Sequence, residues 1–236
     1  MEQLHPRHSS EQIERIARDS THDFLYTLST DYRFWVRLYM LGIFTLPVDI
    51  VALPNPRERY CIDLQSTPTH LNKKAKQAMI MFRVDHDFTK ALELTTNHHG
   101  GKEGTWLNGL CAQNLMDIFS RREEFPVKVM AFTLVDETTA EILAASLGYA
   151  LGENFHDFSA ATFVKDERSL GRSLLRLQRR ALSQAGFKLW YLGFEIPYMQ
   201  ELNGRGVDRA EFFDKWKSGG VSDQCFRRLL SQQSDI

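Results

Sequence analysis

Long apolar runs are missing from this 236-residue sequence. The longest, residues 129–135 and 142–147, fall far short of the ~20 residues that span a bilayer, so no membrane partner is expected. Cysteine is scarce: Cys61, Cys111 and Cys225 are odd in number, far apart and form no Cys-x-x-Cys. That spacing excludes a disulfide framework and a zinc knuckle and points to a reduced, cytoplasmic setting. With 14 Gly and 7 Pro the chain is neither collagenous nor a low-complexity linker. An excess of one charge is also lacking, because 29 Lys plus Arg meet 30 Asp plus Glu. A histone-like polycation is thereby excluded, while a local basic stripe is not. The start, Met1 to Pro6, has no cationic stretch followed by an apolar one, so no secretory leader is predicted. No Gly-x-Ser-x-Gly elbow, Walker loop or His-Glu-x-x-His occurs. What is present, 43% hydrophobic and 25% charged residues, suits a packed core, in one large domain or two unequal ones.

Ser9 with Gln12 fits a capping box opening a short, charged surface helix. Residues 31–41 place Phe34, Trp35, Leu38 and Tyr39 on one side of a helix that Gly42 ends. Pro47, Pro54 and Pro56 then break the chain into extended pieces, and Tyr60, Ile62 and Leu64 alternate with Arg59, Cys61 and Asp63 as in a half-buried strand. Further on, helix and strand take turns. A basic helix bearing Lys73, Lys74 and Lys76 leads into a strand over 79–84, then a helix over 88–94, a polar loop over 97–104 and a long helix over 105–121. Strands over 128–135 and 141–151 pair across a turn, and a third ends at Phe163. A helix from Arg168 to Gln184 is stopped by Gly186 and followed by a strand over 188–196, and two helices, 209–216 and 222–230, come last. This order predicts an α+β fold, a mixed sheet with helices laid across it.

Residues 168–188 carry Arg168, Arg172, Arg176, Arg179, Arg180 and Lys188 and no acidic residue. Arg172, Arg176, Arg179 and Arg180 recur at i, i+4, i+7 and i+8, one face of a helix whose other face carries Leu170, Leu174, Leu177 and Ala181. A charged face is ordinarily just solvated. Here no Glu is interleaved to compensate the repulsion. The helix also opens on Arg168-Ser169-Leu170-Gly171-Arg172-Ser173, which resembles the Arg/Gln-x-x-Gly-x-Gly/Ala turn of the N-acetyltransferase superfamily. In such a turn, free amides at a helix N-terminus hold a pyrophosphate and the glycine permits close approach.

His98-His99-Gly100-Gly101 has no partner at metal-ligand spacing and reads as a flexible loop, so no metal is expected. His156 and Asp157, near a strand end, are a base with its orienting group or a polar strand end. Glu195 lies where a strand gives way to a helix started by Pro197, as a general base or as a first-turn acid that complements the helix dipole.

Taken in order, several segments resemble the leucyl/phenylalanyl-tRNA–protein transferases. Tyr39-Met40-Leu41-Gly42-Ile43-Phe44 is similar to that family's Ala-Tyr-x-x-Gly-Ile-Phe-Pro-Trp, and Pro54-Asn55-Pro56-Arg57 to the end of its Trp-Trp-Ser-Pro-Asp-Pro-Arg. Glu103-Gly104-Thr105-Trp106-Leu107 resembles its Gly-Thr-Trp-Ile, Gly148 and Gly152 fit its Tyr-Gly-x-x-x-Gly, and Phe163 fits the end of its Gly-Glu-Ser-Met-Phe. The likeness runs collinearly over roughly residues 31–216. It implies an acetyltransferase-like (GNAT-type) domain over 67–236, a small N-terminal domain over 31–66 and a helical arm over 1–30. It implies transfer of an amino acid from aminoacyl-tRNA to the α-amine of a protein N-terminus, marking that protein for degradation, with no cofactor and by a monomer. The basic residues Arg172, Arg176 and Arg179 would then contact phosphate, and Trp106 would stack on the terminal adenosine.

The chain departs from the family at its chemistry. Val51-Ala52 replace the paired tryptophans, Ala160 and Ala161 fall where the strand glutamate and serine stand, and Tyr191-Leu192-Gly193 replace Asp-Cys-Gln. The family histidine reads Tyr198. Ser169-Leu170-Gly171 with Tyr191-Leu192-Gly193-Phe194-Glu195-Ile196 instead resembles the arginyl-tRNA–protein transferases, although their cysteine cluster is absent. Glu195 or Asp157 is left as the expected proton acceptor. Two other readings stand beside this one: an acyl-CoA-dependent N-acyltransferase that uses the Gly171 turn, and a silent relative that binds tRNA or protein N-termini.

Overall fold

Ser9 caps the first helix, α1 (Ser10–Asp19), with both halves of a capping box: its hydroxyl accepts from the Gln12 amide at 3.2 Å and its amide donates to Gln12 Oε1 at 2.7 Å. The computed structural model describes residues 1–65, 80–100, 106–164, 169–194 and 202–232. The basic segment around Lys73–Lys76, the turn residue Arg168 and the candidate base Glu195 lie outside them.

Strands β1 (Phe24–Thr27), β2 (Leu46–Pro47) and β3 (Val51–Pro54) form a small antiparallel sheet in the order β1-β3-β2. Between them, α2 (Tyr32–Met40) buries Phe34, Trp35, Leu38 and Tyr39. Gly42 ends it at φ +69°, where a Cβ would come within 2.8 Å of the Phe212 ring. The larger sheet takes β4 (Glu58–Asp63), β5 (Ile80–Val84), β6 (Lys128–Asp136), β7 (Ile142–Leu151), β8 (Asn154–Thr162), β9 (Leu189–Tyr191) and β10 (Arg205–Asp208) in the order β10-β4-β9-β8-β7-β6-β5. Every neighbouring pair is antiparallel except β8 and β9, which are parallel and joined through helix α5 (Leu170–Ala185).

Helices cover both faces of this sheet, which explains the continuous apolar run over 129–135. On β6, Val129 and Ala131 face one core with α2, α3 (Phe88–Gly100), α4 (Gly109–Ser120) and α6 (Arg209–Ser218). Met130, Phe132 and Leu134 face a second core with α5 and α7 (Gln224–Ser231). Two buried arginines tie the small sheet to the large one. Arg59 donates to Gly42 O at 2.7 Å and to Asn55 Oδ1 at 3.1 Å, and Arg209 donates to Pro56 O at 3.2 Å and to the carbonyls of Ser20 and Asn55.

Four sequence expectations need correction. β4 is buried on both faces, Arg59 included, because both faces of the sheet are covered: Cys61 joins the first core and Tyr60 and Ile62 the second. Residues 97–100 are the last turn of α3, not a loop, so His98 and His99 sit on a helix. α4 begins at Gly109, capped by Asn108, whose Oδ1 accepts from the Cys111 amide at 3.1 Å; Trp106 precedes the helix. β9 stops at Tyr191.

Candidate active site: an opening between two parallel strands

β8 and β9 share a register only over residues 154–156 and 189–191. Beyond Tyr191 the chain stays with β4, the Leu192 amide donating to Tyr60 O and the Tyr60 amide to Gly193 O, both at 2.9 Å. β8 instead continues along β7 to Thr162. The two strands therefore part after His156, and among the described residues none of β9 pairs with β8 from Asp157 onward. A strand edge with unpaired amides and carbonyls is a template for an extended ligand.

A pocket of about 680 Å³ lies beside this part of β8, between the strand and the start of α5. Its walls include Ala160, Ala161, Thr162, Ser169, Gly171 and Arg172. Ser169 has φ +54° and lends α5 no side-chain cap, and Ser169, Leu170 and Gly171 at the helix start line the pocket, a local setting that favours an anion. A Cβ on Gly171 would lie 3.1 Å from Thr162 Oγ1, and its absence lets the helix start approach the strand. Arg172 is exposed at this end, Arg176 is half-buried and Arg180 is exposed. Arg179 corrects the expected stripe: it is buried and donates to Leu202 O at 2.8 Å. Its neighbours Leu175, Gln178 and Leu182 are buried as well, so the inner face of α5 is broader than the leucine spacing alone implies.

Asp157 is the first β8 residue past the paired segment and points toward α5. Its Oδ2 accepts from Ser146 Oγ at 2.8 Å and from Gln178 Nε2 at 3.0 Å. Burial pushes its carboxyl up to about 7, against the opposing pull of those two donors and the Ser159 amide.

The other side of β8 is aromatic. His156 stacks on Tyr191 with ring centroids 4.3 Å apart and meets Phe44 and Tyr149 edge-on. Burial, helped by the charge of Arg59, holds its imidazole well below the usual histidine range, so it is neutral and does not serve as a cation. Trp106, half-buried, packs edge-on against Phe44 at 5.0 Å and Phe158 at 6.2 Å. It forms one wall of this cluster, at the same strand segment as Asp157.

β8 carries a bulge here. Gly148 stands opposite Asp157 and Leu147 opposite Ser159, leaving Phe158 as the extra residue. In a regular strand Asp157 and Ser159 would share a face. The bulge turns Ser159 to the aromatic side, where its Oγ lies 3.2 Å from His99 Nε2. Neither residue stands out in the sequence as part of a site. The buried series Phe88, Ala91, Leu92 and Thr95 is the signal that extends α3 to His99.

A second cavity, about 190 Å³, lies where β4, β9 and β10 meet α6, at the end of the β8–β9 pair opposite the opening. Its cations are engaged: Lys188 with Glu153 at 2.7 Å, and Arg205 and Lys215 with Glu211 at 3.7 and 3.5 Å. Among the described residues no group of three or more His, Cys, Asp or Glu is arranged to hold a metal, and no helix is long and apolar enough to cross a membrane.

The antiparallel run β5 to β8, the crossover through α5 and a parallel β9 that parts from β8 make this an acetyltransferase-like α+β fold. No protein-family model and no curated protein sequence matches the chain. Among solved structures, L-PGS from Bacillus licheniformis is 14% identical at a TM-score of 0.44, covering 82% of this chain and 63% of its own. A GCN5-related N-acetyltransferase from Sphaerobacter thermophilus is 13% identical at 0.45, covering 78% and 56%. The C-terminal domain of a protein named as a lysylphosphatidylglycerol synthetase, from Agrobacterium fabrum, is 12% identical at 0.46, covering 93% and 69%. The chain thus spans less than two thirds of the first two. None of these values carries a residue or a substrate from those proteins to this one.

Proposed function

We propose that this protein is an aminoacyltransferase that takes an amino acid from the 3′ end of a charged tRNA and gives it to the α-amine of a protein N-terminus. The observation that carries the transferase reading is the opening between β8 and β9, with a pocket beside β8 at the start of α5 and a titratable carboxyl, Asp157, on the same strand. An ester attacked by an amine needs alignment above all, and a place for one proton to go. The donor would lie along the edge of β8 with its phosphates at the amides of Leu170 and Gly171 and at Arg172. The amine would approach from the aromatic side. Asp157 would exchange the proton of the leaving oxygen. Charged tRNA as donor is supported by the collinear likeness to the tRNA–protein transferases and by the run of basic residues, with no acidic one among them, along α5.

The Gly171 turn favours a second reading, in which the pocket holds the pyrophosphate of an acyl-CoA. A third, a silent binder, is favoured by Ala160 and Ala161, which put two methyl groups on the pocket wall where the family has an acid and a serine. One assay separates the three. The purified protein is mixed with charged tRNA or acyl-CoA, a labelled acyl group and peptides that differ in their first residue. Label reaching peptide only with intact charged tRNA is the expected result. Label from acyl-CoA without RNA selects the second reading, and RNA binding without transfer selects the third.

A further inference from the structure

We propose that Ser159 and His99 are the proton-accepting pair for the attacking amine, Ser159 touching the amine and His99 acting through it. This rests on the amine-acceptor part of the reading above and is independent of which donor is used. The placement has three supports. First, Ser159 lies one residue from Ala160, a wall of the donor pocket, yet the bulge at Phe158 turns it to the opposite face of β8. A donor held along the strand edge and an amine arriving from the aromatic side would meet beside it. Second, its hydroxyl is within hydrogen-bond distance of an imidazole nitrogen, Nε2 of His99, at 3.2 Å. Third, both groups are only partly buried, unlike Asp157 and His156, so an incoming amine can reach the hydroxyl. A bulge beside a reacting centre commonly serves to re-aim a side chain in this way.

The step balances. The amine nitrogen forms a bond to the carbonyl carbon, and the bond from that carbon to the leaving oxygen breaks. The amine proton passes to Ser159 Oγ while the hydroxyl's own proton passes to His99 Nε2, which must be the unprotonated ring nitrogen at the outset. The leaving oxygen takes a proton from Asp157 or from water. The imidazolium then releases its proton to solvent, restoring the pair.

The test compares the full chain with Ser159→Ala, His99→Gln, His99→Gly and the double variant Ser159→Ala/His99→Gln, using charged tRNA and acyl-CoA in turn as donor and a labelled peptide as acceptor. A positioned proton acceptor contributes roughly 100-fold or more, so kcat should fall by about that factor in each single variant with KM little changed. The double variant should lose no more than either single one, because the two act as a unit. Added imidazole should restore His99→Gly at least several-fold and leave Ser159→Ala unrestored, a response that a merely structural role does not produce. His99→Gln keeps a polar contact to Ser159 and serves if the glycine variant is unstable. Transfer by the unaltered protein with kcat unchanged in the variants overturns the pair alone. So does a loss in His99→Gly that imidazole leaves untouched. Absence of transfer from either donor overturns the pair together with the aminoacyltransferase reading.

Discussion

The two faces of β8 are built from opposite materials. Toward α5 the strand presents a small group, Ala160, beside an open pocket, and Asp157 held by Ser146 and Gln178. Toward α2 and α4 it presents His156 and Phe158 packed into rings from Phe44, Trp106, Tyr149 and Tyr191. One face borders open space; the other is lined by rings, with Trp106, Ser159 and His99 only partly buried at its margin. The buried titratable groups follow suit: burial raises Asp157 to about 7 and lowers His156, so on opposite faces of the strand each has its neutral form favoured over the charged one. A strand that must present its edge to a ligand carries its polar groups this way without leaving a bare charge in the core.

The largest effect expected from breaking that arrangement is on stability against pH. Asp157 has a folded value of about 7, above its unfolded value, so the stability it contributes is present at low pH and is lost as pH rises to about 7. Relative to the unaltered protein, Asp157→Asn should therefore gain stability between pH 4 and 7, by on the order of 3–4 kcal/mol across that window. Chemical denaturation at several pH values measures it, and a pH-independent difference would show that the carboxyl ionises normally. His156→Gln should show the opposite course. A histidine held below its usual range loses stability as pH falls beneath about 6.5, so this variant should gain relative to the parent toward acid pH. Two variants with the same slope would end the comparison of faces.

A smaller effect is expected at Trp106. Stacking on a base is worth about 1–3 kcal/mol, so Trp106→Ala should weaken binding of charged tRNA by roughly one to two decades. Its packing against Phe44 and Phe158 means some stability is lost as well, and Trp106→Phe separates the two by keeping an aromatic wall. A drop in melting temperature with tRNA affinity intact would make Trp106 a packing residue only.

The smallest effect concerns α5. Arg172, Arg176 and Arg180 are the members of the predicted stripe that reach the surface, and Arg172 and Arg176 are the two of them expected to contact phosphate. Replacing both with Gln should lower the slope of log K against log[salt] by about 1.4, at roughly 0.7 per phosphate contact. Arg179→Gln should leave the slope alone and cost about 1–3 kcal/mol of stability, since the Leu202 carbonyl loses its donor. An equal salt response from all three arginines would mean that α5 binds RNA along its whole length.

Local pattern settled a good deal of this protein. The capping box at Ser9, the stop at Gly42, the antiparallel pair over 128–135 and 141–151 and the crossover helix ended by Gly186 follow from short-range rules, because caps, turns and periodicity act within a few residues. Strand periodicity puts Asp157 on β8 and the glycine-containing turn puts Gly171 at the start of α5, as the structure has them, whereas Trp106 precedes the helix expected to carry it.

Other features depend on neighbours distant in sequence. Arg179 reads as surface by its helical spacing, yet Leu202, 23 residues away, takes its guanidinium inside. β4 reads as half-buried until a core forms on each face of the sheet. The strand period of two would put Asp157 and Ser159 on one face, and only pairing with β7 introduces the bulge that separates them. The sequence alone therefore determined the elements and their order. The tertiary structure decided which side of β8 each polar group serves, because a single unpaired residue in a ladder reverses every side chain that follows it.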